Sequence, residues 1–171
     1  MEHTQIRFGG DGAAANVLDV CVVGSANLDL VATVDRLPGP GETVSGSAYA
    51  EYPGGKGLNQ AVAAARSGAR TAFVGALGTD AAGDALLAVM AGDDIDATGV
   101  LRVAAPTGRA LIGVSATGEN SIIVVSGANS AVIGDDIPAA TVVLAQLEVP
   151  IGAVERAFRL ARLAGAVTVL N

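Results

Sequence analysis

The chain lacks tryptophan and contains one cysteine, one histidine, two tyrosines and three phenylalanines in 171 residues. Aromatic residues make up only 3% of the sequence, so its core must be built from Ala, Val, Leu and Ile. A single cysteine excludes an intramolecular disulfide and fits a reducing compartment. One histidine and one cysteine leave no basis for a Ser-His-Asp triad or a zinc site of the His/Cys type.

Positive charge is also scarce, because 10 Lys and Arg residues stand against 17 Asp and Glu residues, with a net charge of -7. This balance argues against non-specific binding to nucleic acids or to anionic membranes. No apolar run approaches the roughly 18 residues that a membrane helix needs. Residues 1–16 lack the basic and apolar regions of a signal peptide. We therefore expect a cytoplasmic protein with a flexible tail at residues 1–17 and no nucleic-acid or membrane partner.

Short β-branched runs alternate with helical stretches from Leu18 onward, a pattern typical of a parallel α/β sheet. Four runs predict buried strands, at residues 20–24, 71–75, 141–145 and 167–170. Three stretches predict helices, at residues 58–67, 81–91 and 151–164. We therefore expect one α/β domain over residues 18–171, with an open, mostly parallel sheet flanked by helices.

Two segments interrupt this alternation. Residues 30–34 and 42–52 flank a Pro/Gly turn at 37–41, and residues 109–115 and 121–125 flank a second turn at 116–120. Each segment predicts a β-hairpin. We expect four strands, within about 29–53 and 108–126, to form a small separate sheet that covers a ligand site.

The most informative segment is 53–68, where glycines at positions 54, 55 and 57 surround Lys56. Glycines let a backbone pass close to a bound molecule. The alanine-rich helix that follows points its unpaired N–H groups at the same place, with Asn59 in its first turn. The spacing matches neither a P-loop nor a dinucleotide-binding fingerprint. The segment predicts a small polar ligand at a helix N-terminus, and the alternative is a tight turn alone.

Other polar residues follow the predicted strands. Asn27 and Asp29 come after the first strand, where ligands bind in open α/β sheets, and their spacing places them on one face. An amide and a carboxylate suit neighbouring hydroxyls, although a polar turn is the alternative. Glu148 follows another strand and either accepts a further hydroxyl or complements the dipole of the next helix. Together with the glycine segment, these residues favour a site for a polyol.

These residues resemble the N-terminal part of the ribokinase-like (PfkB-type) carbohydrate kinases. The first signature of that family is matched by Gly54, Gly55, Gly57, Asn59, Ala61, Gly68 and Gly78. The motifs at 24–29, 38–43 and 146–148 resemble the ribokinase branch more than fructokinases or adenosine kinases. The resemblance implies a sugar pocket lined by Asn27, Leu28, Asp29, Gly55, Lys56, Gly57, Leu58, Asn59 and Glu148. It also implies that the four extra strands form a lid through which two subunits pair as a homodimer.

The resemblance further implies a reaction in which the γ-phosphoryl group of Mg-ATP moves to the C5 hydroxyl of D-ribose, assisted by K⁺. The second signature of the family, Asp-Thr-x-Gly-Ala-Gly-Asp, is not found in this sequence, and neither is its Asn-x-x-Glu motif. We therefore assign no catalytic, cofactor-binding or metal-binding residue to this chain. The aspartate base and the C-terminal half of the enzyme are expected beyond Asn171, which predicts an inactive fragment.

Two alternatives stay open at this point. The first is that the chain belongs to another PfkB-type kinase, which acts on a different sugar or on a nucleoside. The second is that it is a non-catalytic remnant that binds sugar or dimerises.

Overall fold

The computed structural model describes residues 17–171, so the predicted tail lies outside the described residues except for Val17. The strands of the described part are β1 (Leu18–Val23), β2 (Asn27–Val34), β3 (Gly46–Gly54), β4 (Thr71–Gly78), β5 (Asp96–Val103), β6 (Gly108–Ser115), β7 (Asn120–Val125), β8 (Ala140–Ala145) and β9 (Val167–Leu170). The helices are α1 (Lys56–Arg66), α2 (Ala81–Gly92) and α3 (Ile151–Leu163), with a short 3-10 helix at Gly127–Ala131. Within residues 17–171, none of these helices has the length and apolar character required to cross a membrane.

The main sheet has five parallel strands in the order β5-β4-β1-β8-β9. Its central strand β1 is apolar on both faces. Cys21 and Val23 pack with α3 and the 3-10 helix, whereas Val22 packs with α1 and α2 on the opposite face. A strand covered on both faces reads as a continuous apolar run, which explains the sequence pattern. The open parallel α/β sheet predicted from the sequence is confirmed.

A second sheet of four strands, in the order β3-β2-β6-β7, confirms the predicted side sheet, and we call it the lid sheet. Its strands β2 and β3 are antiparallel, as are β6 and β7, while β2 and β6 run parallel. Side chains alternate between two faces of this sheet. The inner face carries Asp29, Ala110 and Val124 as cross-strand neighbours, and the outer face carries Leu30 and Ile123.

Three features differ from the sequence-based expectations. Strand β5 was not predicted, because it is a half-exposed edge strand with charged residues and a register shift against β4. Helix α1 begins at Lys56 rather than at residue 58, since Gly55, with φ of 88°, serves as its N-cap. Strand β9 forms at the predicted residues, but the prediction that it is buried is wrong. It lies at the edge of the sheet, where Val167 is 59% exposed and Leu170 is 53% exposed.

Candidate functional site

The candidate site lies where β1 ends and the chain enters the lid sheet. The first turn of α1 packs directly on this crossing. A Cβ at Gly57 would lie 2.6 Å from the backbone nitrogen and oxygen of Ser25, and one at Gly55 would lie 2.9 Å from the Cα of Ala26. The Leu58 N–H donates to the Ser25 carbonyl at 2.9 Å. The glycines that the sequence assigned to a ligand therefore also allow close contact within the chain itself.

The carboxylate of Glu148 is bound at the N-terminus of α1. Its Oε2 accepts a hydrogen bond of 2.7 Å from the Ser25 hydroxyl and one of 3.0 Å from the Lys56 backbone N–H. Its Oε1 lies 3.7 Å from Nζ of Lys56. A negative charge at a helix N-terminus is stabilised by the unpaired N–H groups and by the dipole. Glu148 thus joins the loop after β8 to the glycine segment, at the N-terminus of α1 rather than of the next helix, α3.

Asp29 has an incompletely satisfied carboxylate. Its Oδ1 is buried and has no hydrogen-bond partner among residues 17–171. Its Oδ2 lies so close to Gly54 that a Cβ there would be 2.1 Å away. Burial raises the pKa of Asp29, and the negative charge of Glu148 raises it further. A buried acceptor without a donor is costly, so this oxygen is suited to accept a hydrogen bond from a ligand hydroxyl.

Asn27 lies on the same face of β2 as Asp29 and is 4% exposed. Its Oδ1 accepts a hydrogen bond of 2.8 Å from Nδ2 of Asn129, which belongs to the 3-10 helix. Asn129 lies 102 positions after Asn27 in the sequence, and its side chain meets Asn27 at the crossing between the two sheets.

The side chains of the remaining predicted site residues, Asn59, Leu28 and Leu58, lie in different surroundings. Asn59 is exposed on the first turn of α1, and its side chain makes no hydrogen bond within residues 17–171. Leu28 alternates with its neighbours, so its side chain lies on the outer face of the lid sheet. Leu58 is 1% exposed and packs in the core beneath α1. Both leucines therefore face away from Asp29, and only their backbone groups are close to the site.

Two residues of the site were not assigned a role from the sequence. Ser25 is 1% exposed and binds Glu148, and Asn129 is 1% exposed and binds Asn27. A cleft of about 460 Å³ is lined by Asn129 and Glu148, together with Val124 on the inner face of the lid sheet. The first polar residue after the apolar run of β1 was the available signal for Ser25. No comparable local signal marked Asn129.

Residues 17–171 contain no group of three or more His, Cys, Asp or Glu side chains arranged to hold a metal ion. The polar groups that the site brings together are the amides of Asn27 and Asn129, the hydroxyl of Ser25 and the carboxylates of Asp29 and Glu148. Such a set can bind and orient a polyol through its hydroxyls.

Comparison with known proteins shows what this chain is similar to. The chain is 42% identical to the ribokinase of Staphylococcus aureus over 161 residues, which cover 89% of this chain and 53% of that protein. The crystal structure of ribokinase from Thermotoga maritima superposes with a TM-score of 0.79 at 35% identity and covers 90% of this chain and 52% of that one. The structure of Arabidopsis thaliana ribokinase complexed with ribose and ATP has a TM-score of 0.75 at 34% identity, covering 90% and 53%.

The chain thus spans about half the length of these ribokinases. The sequence model of a family described as "pfkB family carbohydrate kinase" matches residues 17–171 of this chain. This match includes the lid sheet, the glycine segment and all five strands of the main sheet. The chain therefore belongs to the pfkB family of carbohydrate kinases.

Proposed function

We propose that this chain supplies the sugar-binding side of a ribokinase-type kinase. The whole protein would catalyse ATP-dependent phosphorylation of D-ribose to ribose 5-phosphate. The observation that carries the proposal is the buried, unpartnered Oδ1 of Asp29 beside Gly54, on the same face as Asn27. Similarity to proteins named ribokinase, one of them solved with ribose and ATP, supports ribose as the sugar.

The proposal gives each polar group a part in binding. Asp29 accepts hydrogen bonds from sugar hydroxyls, and Asn27 holds a neighbouring sugar oxygen. Glu148, already fixed by Ser25 and the α1 N-terminus, accepts a further hydroxyl. The backbone at Gly55, Gly57, Leu28 and Leu58, together with Lys56 and Asn59, completes the predicted pocket. A site built to hydrogen-bond hydroxyls rejects analogues that lack them, because its buried acceptors are then left unpaired.

The proposal includes ATP as the phosphoryl donor, with Mg²⁺ and K⁺ as cations of the whole protein. When bound, the nucleotide supplies the γ-phosphoryl group and the cations offset its charge. The groups assigned above contact the sugar, and residues 17–171 hold no preformed metal cluster. Because the second signature of the family, with its aspartate base, is not found in this sequence, we assign no phosphoryl-transfer step and no catalytic base to the described residues.

The proposal also includes a homodimer that forms through the outer face of the lid sheet. Leu111 and Ile123 are cross-strand neighbours on this face and are 45% and 63% exposed. Tyr49 extends the same apolar surface, along a groove of about 530 Å³. Exposed apolar patches of this kind mark interaction sites. A cytoplasmic location belongs to the same proposal, and the single buried Cys21 fits it.

Isothermal titration calorimetry with D-ribose tests the sugar site. We expect the chain to bind ribose and Asp29→Ala to weaken binding by at least about tenfold, since a hydrogen-bonded charged group contributes roughly 1.5–3 kcal/mol. Glu51→Ala is the matched control, because it removes a carboxylate from the opposite face of the lid sheet. Preference for adenosine or D-xylose over ribose would favour another kinase of the family. Absence of binding to every one of these compounds would refute the proposed site.

A further inference from the structure

The orientation of two side-chain amides in the site is determined by one residue's backbone. Ala26 links β1 to β2, and its N–H donates to Oδ1 of Asn129 at 3.0 Å. Its carbonyl accepts from Nδ2 of Asn129 at 3.3 Å. A backbone N–H can only donate and a carbonyl can only accept. The oxygen and nitrogen of the Asn129 amide therefore cannot be exchanged without losing both bonds.

This fixed amide determines the orientation of the next one. Nδ2 of Asn129 is a donor, so the Asn27 atom at 2.8 Å from it must be the acceptor Oδ1. The other end of the Asn27 amide is then Nδ2, and no residue within 17–171 accepts a hydrogen bond from it. Asn27 therefore directs two N–H donors, and no acceptor, away from Asn129.

The surrounding packing leaves little freedom for the pair. Asn27 is 4% exposed and Asn129 is 1% exposed. Strand β6 begins at Gly108, which is paired in register with Asn27. A Cβ at Gly108 would lie 2.2 Å from Oδ1 of Asn27 and 2.3 Å from Nδ2 of Asn129. The glycine thus makes space for this hydrogen bond, and the backbone of β6 covers it.

We propose that Asn129 is a positioning residue that sets the polarity of the sugar pocket through Asn27. It turns the Asn27 amide so that the pocket presents N–H donors there and carboxylate acceptors at Asp29. A bound sugar must then offer an oxygen that accepts at the first position and a hydroxyl that donates at the second. This inference rests on the proposed function only for the identity of the ligand, since the orientation itself is a property of the unliganded chain.

A double-mutant cycle with ribose distinguishes positioning from a purely structural role. Calorimetry would compare the unsubstituted chain with Asn27→Ala, Asn129→Ala and the double variant. We expect Asn129→Ala to weaken ribose binding about tenfold when Asn27 is present, a loss similar to that of one neutral hydrogen bond. In the Asn27→Ala background, the same substitution should weaken binding less than about twofold. An equal loss in both backgrounds would overturn the proposal, because Asn129 would then act without Asn27.

A second pair of variants covers the outcome in which Asn129→Ala does not fold. Gly108→Ala places a methyl group against the amide pair and should weaken ribose binding to a similar degree. Gly113→Ala on the same strand is the control, because its Cβ would meet only the flexible end of Leu37, at 3.2 Å. Equal affinities of the two alanine variants would contradict the proposed positioning.

A measurement without ligand separates this inference from the proposed function. In the NMR spectrum of the unliganded chain, we expect a scalar coupling across the hydrogen bond from Nδ2 of Asn129 to the side-chain carbonyl carbon of Asn27. Absence of this coupling in the folded chain overturns the assigned orientation. Presence of the coupling, with no binding of ribose, refutes the proposed sugar and leaves the orientation supported.

Discussion

At the scale of single residues, the carboxylate of Asp29 lies against the backbone of Gly54, with Oδ1 buried and unpartnered within residues 17–171. Such an arrangement costs folding free energy, because the charged form has lost water without gaining a donor. Binding residues commonly carry costs of this kind, since the missing partner is supplied by the ligand. The stability of the unliganded chain should therefore report on the role of Asp29.

Asp29→Asn tests this cost through the pH dependence of folding. Burial raises the folded-state pKa of Asp29 above its ordinary value of 3.8, with a smaller contribution from Glu148. The folded chain then binds the proton more tightly than the unfolded chain, so stability falls as the pH rises from that value through the raised one. The variant lacks this loss, because an amide does not ionise. We expect the substitution to add more to the free energy of unfolding near pH 7 than near pH 3.

Urea unfolding at the two pH values provides the measurement. Asp136→Asn is the control, since it makes the same exchange at an exposed position outside the site. An Asp29→Asn effect that is identical at both pH values would show that the carboxylate is not destabilised by its surroundings. The same variant should also lose ribose affinity, which would separate a binding role from a purely structural one.

At the scale of elements, Asp80 connects α2 to the start of the lid strand β6. Its Oδ1 accepts from the Gly83 N–H at 2.9 Å as the N-cap of α2, and its Oδ2 accepts from the Thr107 N–H at 3.0 Å. The Thr107 hydroxyl also donates to it. Burial disfavours the ionised form, but these hydrogen bonds and nearby Arg109 outweigh it and lower the pKa of Asp80 to about 2. One side chain therefore fixes a helix end and the entry to the lid sheet.

Asp80→Ala should lower the free energy of unfolding by about 1–2 kcal/mol, in the upper part of the range for a lost N-cap residue, because Asp80 also accepts from the Thr107 N–H. Since the folded-state pKa is depressed, this contribution is present above the ordinary value of 3.8 and is lost as the pH falls toward about 2. Denaturant unfolding would measure both effects. Asp84→Ala, in the same helical turn, is the control, and its exposed pair with Arg102 predicts a change below about 1 kcal/mol. Equal losses of unfolding free energy in the two variants would show that the N-cap of Asp80 is not the source of the stabilisation.

Helix α3 contains one glycine and is followed by another, and the two have opposite requirements. Gly152 lies in its first turn, and a Cβ there would meet nothing within 4 Å. Gly165 follows its C-terminus with φ of +82°, a conformation that favours glycine. We expect Gly152→Ala to raise the free energy of unfolding by up to about 1 kcal/mol, and Gly165→Ala to lower it by about 1 kcal/mol. Thermal unfolding would show midpoints shifted in opposite directions, and a shift in the same direction would contradict this.

At the scale of the whole molecule, the sequence predicted the sheet and its helices because periodicity and glycine position are local properties. Asn27, Asp29 and Glu148 could also be singled out from the sequence as candidate site residues, since each follows the end of a strand. The hydrogen-bonding roles of Ser25 and Asn129 could not be predicted from the sequence. Their partners lie 123 and 102 positions away, so only the assembled sheets bring these groups together.

Exposure depends on the same long-range order. Residues 167–170 read as a buried strand because their side chains are apolar, yet β9 lies at the sheet edge, next to β8 alone. Apolar composition predicts that a strand forms but does not determine its place in the sheet. The overlooked β5 is the converse case, a strand whose charged residues fit its position at the other edge.

Two surfaces of the described chain are open to association, and they lie on different sheets. The lid sheet exposes Ile123, and β9 exposes Leu170 and, as an edge strand, the backbone groups on its open side. The Asn171 N–H donates to the Ala145 carbonyl of β8 at 3.0 Å. Because successive N–H groups of a strand point to opposite sides, the N–H of Val169 also faces β8, whereas that of Leu170 faces the open edge.

The homodimer proposed for the lid sheet and pairing through the open edge of β9 would together allow assemblies larger than a dimer, because each contact leaves the other surface free. We expect sedimentation velocity to show species beyond the dimer that grow with protein concentration. Leu170→Pro removes the outward N–H and should limit assembly to the dimer formed by the lid sheet. Ile123→Lys places a charge on the lid sheet and should limit assembly to pairing through β9.

Val169→Pro is the matched control, because it removes an N–H that faces β8 and should reduce stability in urea rather than act on the open edge alone. The double variant Ile123→Lys with Leu170→Pro should sediment as a monomer at every concentration. A chain that stays monomeric without substitution would show that neither surface associates. Large species that persist in the double variant would place the contact elsewhere, and would remove β9 and the lid sheet as its cause.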